Sequence, residues 1–119
     1  MTTKEVADKL VELCRKGDFK SAQQELYAED ALSVEPRATP AFEKETKGLK
    51  AIIEKGEKFD SMVEKMHGIE VSDPIVADNS FACTMMLDVT MKERGPMKMT
   101  ELCVYEVKDG KIVKEEFVM

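Results

Sequence analysis

Residues Met97–Val107 read MKMTELCVYEV and alternate along the chain. Residues two apart share a face of a β-strand, so this alternation predicts a strand. Glu101 is the only charged side chain on a face that otherwise consists of Met97, Met99, Cys103, Tyr105 and Val107. A carboxylate on an apolar face is costly to bury unless it is paired, protonated or used in chemistry. Glu101 is therefore the first candidate functional residue.

The same alternation predicts further strands on both sides of this segment. They are expected at Ala31–Glu35, at Met66–Val76 with a break near Asp73-Pro74, at Ser80–Met91 and at Lys111–Met119. The turn signals between the later strands are Asp78-Asn79, Arg94-Gly95-Pro96 and Asp109-Gly110. Strands joined by such short turns form an antiparallel meander.

The first part of the chain has the apolar spacing of helices. Helices are predicted over Thr3–Lys16, Phe19–Tyr27 and Gly48–Lys58, with Arg37–Lys47 as a loop or lid between the last two. Phe59–Met66 either prolongs the third helix or turns into the next strand. Helices followed by a meander predict an α+β domain, with the helices against one face of a curved sheet.

The composition limits the function classes. The chain has 119 residues, which fits a single domain over 1–119, and its net charge is −6. This charge argues against nucleic acid and anionic membranes as partners, since both require basic patches. The segment MTTKEVADKL has no apolar signal core, and no apolar stretch is long enough to span a membrane. Three cysteines without framework spacing predict a reducing, cytoplasmic compartment.

Several short motifs, in this order, resemble one superfamily. They are Gly17-Asp18-Phe19, LYAEDALSVEP (Leu26–Pro36), Gly48–Ile52 and Asp109–Ile112. Together they resemble the nuclear transport factor 2-like superfamily, and the chain is most similar to its SnoaL-like group. The resemblance implies a cystatin-like α+β barrel: a cone-shaped, curved antiparallel sheet around the N-terminal helices, with a pocket at the open end. Members include ketosteroid isomerases, polyketide cyclases, dehydratases and non-catalytic binding domains, commonly as homodimers.

The resemblance implies roles for two acids. Glu35 stands before Pro36, where ketosteroid isomerases carry their general base. Glu101 lies near the position of the protonated acid in their oxyanion hole; the alternatives are a Glu101 paired with Lys98, Lys114 or His67, or one that faces outward. The oxyanion tyrosine of those enzymes would fall at Leu10, so the isomerase constellation is incomplete here.

The predicted ligand-binding set contains His67, Met86, Met99 and Tyr27. His67 is the only histidine, and it either lines the pocket or lies exposed on its strand. Methionines adapt to apolar ligands, although they also serve as plain core residues. Of Glu115 and Glu116, one must face inward, and the pattern leaves open which one. No ligand spacing for a metal is present, so we expect neither a metal nor another cofactor.

The resemblance leaves alternative functions. The first is a protein that binds a small apolar molecule, with isomerase- or cyclase-type acid–base chemistry at Glu35 and Glu101. The second is a non-catalytic dimeric domain that stores a ligand or binds a partner. Leu102 and Val104 make the opposite face of the 97–107 strand apolar as well, which predicts that a second subunit covers it.

Overall fold

Two short helices begin the chain, and capping residues define their ends. The computed structural model describes residues 1–119, with α1 at Thr3–Arg15 and α2 at Phe19–Leu26. Thr2 and Glu5 form a capping box, in which each side chain accepts a hydrogen bond from the other residue's backbone N–H. Asp18 caps α2 by accepting from the Ser21 backbone N–H. Gly17, with a φ of 74°, reverses the chain between the two helices.

The third helix is longer than predicted. Helix α3 spans Leu49–Met62, and the next strand begins at Val63. The helix therefore continues through the first half of Phe59–Met66, the segment whose structure the sequence left open, and β3 takes up the second half. Phe59 and Met62 pack against the core, which gives the extra turn a buried side.

Seven strands form one curved sheet. They are β1 (Tyr27–Val34), β2 (Glu45–Lys47), β3 (Val63–Val71), β4 (Ile75–Ala77), β5 (Ser80–Met91), β6 (Gly95–Lys108) and β7 (Lys111–Val118). Their order is β2-β1-β7-β6-β5-β3, with β4 paired to β5. The predicted break near Asp73-Pro74 is present between β3 and β4.

Two features of this sheet correct the sequence prediction. The sheet is mixed rather than wholly antiparallel, because β1 runs parallel to β7. It is also unclosed, since β2 and β3 lie at opposite ends of the strand order. Turn signals predict the direction of consecutive strands only, and most of the chain separates β1 from β7. Strand β1 also begins at Tyr27 rather than at the predicted Ala31.

The α+β prediction is confirmed, with one face of the sheet buried against the helices. On β5 this inner face carries Phe81, Cys83, Met85, Leu87, Val89 and Met91, all buried. Helix α1 packs against it with Val6, Leu10, Val11 and Cys14. Met85 lies directly opposite Glu101, which places Glu101 on the inner face of β6. No helix is long and apolar enough to cross a lipid bilayer.

Leu10 tests the contribution of α1 to the core. Its side chain is only 1 % exposed. We expect Leu10→Ala to lower the free energy of unfolding by about 2–5 kcal/mol, because it leaves a cavity between α1 and the sheet. Urea denaturation measures this loss. The exposed Glu12→Ala on the same helix is the control and should change stability by less than about 1 kcal/mol. Equal losses in both variants would contradict the assigned packing.

Candidate functional site

The Glu101 side chain lies on the inner face of β6, opposite Met85, without a hydrogen-bonding or charged partner. Its carboxylate makes no hydrogen bond or ion pair with protein, whereas Lys114 pairs with Glu116 and His67 bonds to Thr90. Burial, followed by the nearby charges of Glu35 and Glu115, raises the pKa of Glu101 from 4.5 to about 7, and only Lys55 acts in the opposite direction. Near neutral pH this carboxyl is therefore protonated in a large fraction of molecules and can donate a hydrogen bond.

Glu35 and Lys55 form an ion pair beside it. Glu35 directly follows β1 and continues the inner face of Ala31 and Ser33. Its Oε2 lies 2.9 Å from Nζ of Lys55, and their side chains are 26 % and 15 % exposed. The other oxygen, Oε1, makes no hydrogen bond to protein. Glu35 therefore combines a fixed charge with a free proton acceptor.

A buried hydrogen-bond chain continues behind this pair. Nζ of Lys55 donates to Oγ of Ser33 at 2.6 Å, and the Ser33 hydroxyl donates to Oε2 of Glu115 at 2.5 Å. The Tyr27 hydroxyl donates to the second oxygen of Glu115. Burial raises the pKa of Glu115, and the bonds from Ser33 and Tyr27 oppose that rise. Glu115, rather than Glu116, is thus the inward-facing acid, which answers the question that the sequence left open.

These six residues, Tyr27, Ser33, Glu35, Lys55, Glu101 and Glu115, are called the interior cluster below. Apolar side chains lie beside it. The ring of Phe117 is 5.7 Å from Nζ of Lys55. Met99 lies on the inner face of β6, half-buried and packed against the core. The cluster is therefore a charged centre in an otherwise apolar interior.

Two predicted ligand-binding residues lie outside this interior. Met86 belongs to the outer face of β5, because it alternates with the buried Met85 and Leu87. His67 is exposed, and its Nε2 lies 2.6 Å from Oγ1 of Thr90. An irregularity in the β3–β5 register between Met66 and Gly68 surrounds it.

Tyr27, a third predicted ligand-binding residue, belongs to the interior cluster, where its buried hydroxyl donates a hydrogen bond to Glu115.

Sequence reasoning missed Lys55, Ser33 and the role of Glu115. Lys55 lies three positions after the buried Ile52 and seven before its helix ends, on the side of α3 that faces the sheet. A lysine within a core-facing helical stripe was the available signal. For Ser33, the signal was a small polar residue between Ala31 and Glu35 on one strand face.

Two open surface grooves, along α3 and between α1 and Pro74, contain none of the cluster residues.

Comparison with known proteins gives the family. A family model described as a SnoaL-like domain matches residues 1–119. The chain belongs to the SnoaL-like family. A comparison with curated proteins finds no match.

Solved structures support this assignment. A candidate SnoaL-like polyketide cyclase from Mesorhizobium loti is 32 % identical, with 100 % of both chains covered and a TM-score of 0.92. A Xanthomonas campestris protein of unknown function with a cystatin-like fold has 17 % identity, a TM-score of 0.83 and coverage of 99 % and 90 %. A candidate isomerase from Bacillus subtilis has 23 % identity, a TM-score of 0.74 and coverage of 99 % and 88 %. The last two show the fold alone.

The raised pKa of Glu101 predicts a pH-dependent stability. Between pH 4.5 and about 7 the folded SnoaL-like protein keeps a proton on Glu101 that the unfolded chain releases. The contribution of Glu101 to the free energy of unfolding therefore falls as pH rises through this window, by at most about 3 kcal/mol. Glu101→Gln should remove this contribution, so the variant gains stability relative to wild type between pH 5 and pH 8.

Urea denaturation at the two pH values, together with an NMR titration of the carboxyl carbons, measures this effect. Glu106→Gln, at an exposed position on the other face of β6, is the matched control. If Glu106→Gln and Glu101→Gln behaved alike, Glu101 would not be the group responsible.

Proposed function

We propose that this protein binds a small, largely apolar carbonyl compound at the interior cluster and moves a proton between carbon atoms, as isomerases and cyclases do. One observation carries the proposal: two carboxyls share one interior in opposite environments. Glu35 has a cation at 2.9 Å, whereas Glu101 has no partner and a pKa raised to about 7. An ionised acid beside a protonated one supplies a base and an acid at the same pH.

In the proposed reaction each acid has its own task. Oε1 of Glu35 takes a proton from the carbon next to the carbonyl, and the electrons of that C–H bond form a C=C bond. The carbonyl π electrons move to oxygen, where neutral Glu101 donates a hydrogen bond. Glu35 then returns the proton to carbon. The polyketide cyclase-like relative from Mesorhizobium loti supports this type of chemistry.

A non-catalytic dimeric domain is the rival function. In that case the Glu35–Lys55 pair and the Glu115 network are structural, and a ligand is bound unchanged or not at all. Buried ion pairs and hydrogen-bond networks also occur in proteins without activity, so a direct measurement of proton transfer decides between the two functions.

Exchange of α-protons for deuterium tests the proposed role of Glu35. A panel of enones and 1,3-diketones is incubated with the protein in D₂O, and NMR follows the loss of the α-proton signals. We expect catalysed exchange in wild type and a loss of at least about 10²-fold in Glu35→Gln, because the amide is no base. Ligand affinity should be retained.

Glu29→Gln, at an exposed position on β1, is the control and should exchange like wild type. Binding without any catalysed exchange in wild type would favour the non-catalytic domain. Undiminished exchange in Glu35→Gln would remove that residue from the mechanism.

We also propose that a second copy covers the outer face of the sheet. Leu102 and Val118 face each other there across β6 and β7, and they are 41 % and 46 % exposed. Val104 extends this apolar strip on the same face of β6. A two-fold dimer would bring the same strip of both copies together and remove it from water.

Leu102→Lys should therefore yield a monomer, because it places two like charges in the apolar strip of the dimer. Sedimentation velocity over a range of concentrations measures the oligomeric state. Ala38→Lys, in the exposed loop after β1, adds the same charge elsewhere and should leave the dimer intact. A wild type that stays monomeric at high concentration, or a Leu102→Lys dimer, would contradict this interface.

A further inference from the structure

Lys55 has an unused donor inside the interior cluster. A lysine ammonium carries three N–H donors. One reaches Oε2 of Glu35 at 2.9 Å and one reaches Oγ of Ser33 at 2.6 Å, and no other acceptor in the protein lies within hydrogen-bond distance. Its side chain is 15 % exposed, and the ring of Phe117 lies 5.7 Å from Nζ. A cation with a free donor in a largely dry place is suited to an oxygen that becomes negative.

Buried hydrogen bonds through Ser33 and Glu115 hold the Lys55 ammonium in place. Ser33 is completely buried and uses its own proton on Glu115, so only its lone pairs face Lys55. Glu115 is in turn held by the Tyr27 hydroxyl from the opposite side. Movement of the ammonium would break the bonds that join Lys55 to Ser33 and to Glu35. The free N–H therefore needs no reorganisation when charge develops in front of it.

Lys55 approaches the inner face of the sheet near Glu101, since the Phe117 ring beside its Nζ belongs to the residue that pairs with Cys103, two positions from Glu101 on β6. The charges of Glu35 and Glu115 raise the pKa of Glu101 and that of Lys55 lowers it, so the charge of Lys55 is felt at Glu101. Lys55, on α3, therefore supplies a second donor in the interior cluster that contains Glu101.

We propose that Lys55 is a catalytic residue that donates its free N–H to the substrate oxygen on which negative charge develops when Glu35 removes the carbon-bound proton. This inference rests on the proposed function and deepens it. The proton transferred travels between carbon and Glu35, and the proton of Lys55 stays on nitrogen throughout. The substrate class follows: carbonyl compounds that ionise as enolates, since the charge that Lys55 stabilises is the one that develops on the carbonyl oxygen.

Substituted phenols are suitable probes, because a phenolate resembles an enolate in charge and geometry. Ultraviolet absorbance gives the ionised fraction of each bound phenol as a function of pH. In wild type we expect the bound phenol to ionise at least about one pH unit below the free phenol, a tenfold preference for the phenolate. Lys55→Met should abolish that preference, and Lys55→Arg should retain part of it.

Lys50→Met is the matched control, since Lys50 is exposed on the same helix. It should bind phenolate like wild type. An unchanged ionised fraction in Lys55→Met would overturn the inference.

A measurement on wild type covers the case in which Lys55→Met fails to fold. NMR of the ¹⁵N-labelled lysine ammonium groups should show the Lys55 signal shifting as phenolate is added. If phenols bind and Glu35-dependent exchange occurs while this signal stays unmoved, the role of Lys55 fails and the proposed function stands. If neither phenols nor enones bind to wild type, both fail together.

Discussion

The burial of one carboxyl, Glu115, determines how the rest of the interior is arranged. A carboxyl that is 3 % exposed needs hydrogen-bond donors, and here two hydroxyls supply them, from Tyr27 and Ser33. The Ser33 hydroxyl donates its one proton to Glu115, so its oxygen can only accept a further hydrogen bond. Lys55 is the donor that supplies this bond. The position of the cation is therefore a consequence of the buried acid.

That cation makes the two remaining acids different. Glu35 lies within contact of Lys55, so ionisation of Glu35 is balanced by an adjacent positive charge. Glu101 has no such contact, and burial together with the neighbouring acids raises its pKa to about 7. Two glutamates on neighbouring parts of one interior thus lie in different electrostatic surroundings, one in contact with a cation and one without a partner. Such a difference is what acid–base chemistry on a carbonyl compound requires.

The sequence predicts those parts of the site that depend on strand alternation. The alternation of residues 97–107 places Glu101 on the same face as Cys103 and Tyr105, and the structure shows that this is the inner face, because β6 pairs with β5 in continuous register. The α+β class follows from turn signals and helix spacing along the chain, whereas the SnoaL-like resemblance rests on four short motifs in order, and both are confirmed.

The parts of the site that alternation cannot predict depend on contacts between distant segments. The register shifts between Glu106 and Val107, and again along the β1–β7 pair, so counting along β7 could not show that Glu115 faces inward. A similar irregularity surrounds His67, which lies exposed instead of lining the interior. Lys55 belongs to a helix, and its pairing with Glu35 depends on how α3 lies across β1.

Helix α3 also connects the cluster with the loop that follows Glu35. One turn beyond Lys55, Lys58 lies 5.1 Å from the ring centre of Phe42 and donates to the carbonyl of Ala41. The base of this loop is closed by the Glu35 backbone N–H, which donates to the Lys44 carbonyl at 2.7 Å. The loop that begins at the proposed base is thus attached to the helix that carries the proposed cation. Any displacement of α3 would change the Glu35–Lys55 contact and the position of the loop together, so the geometry of the two charges depends on the helix as a whole.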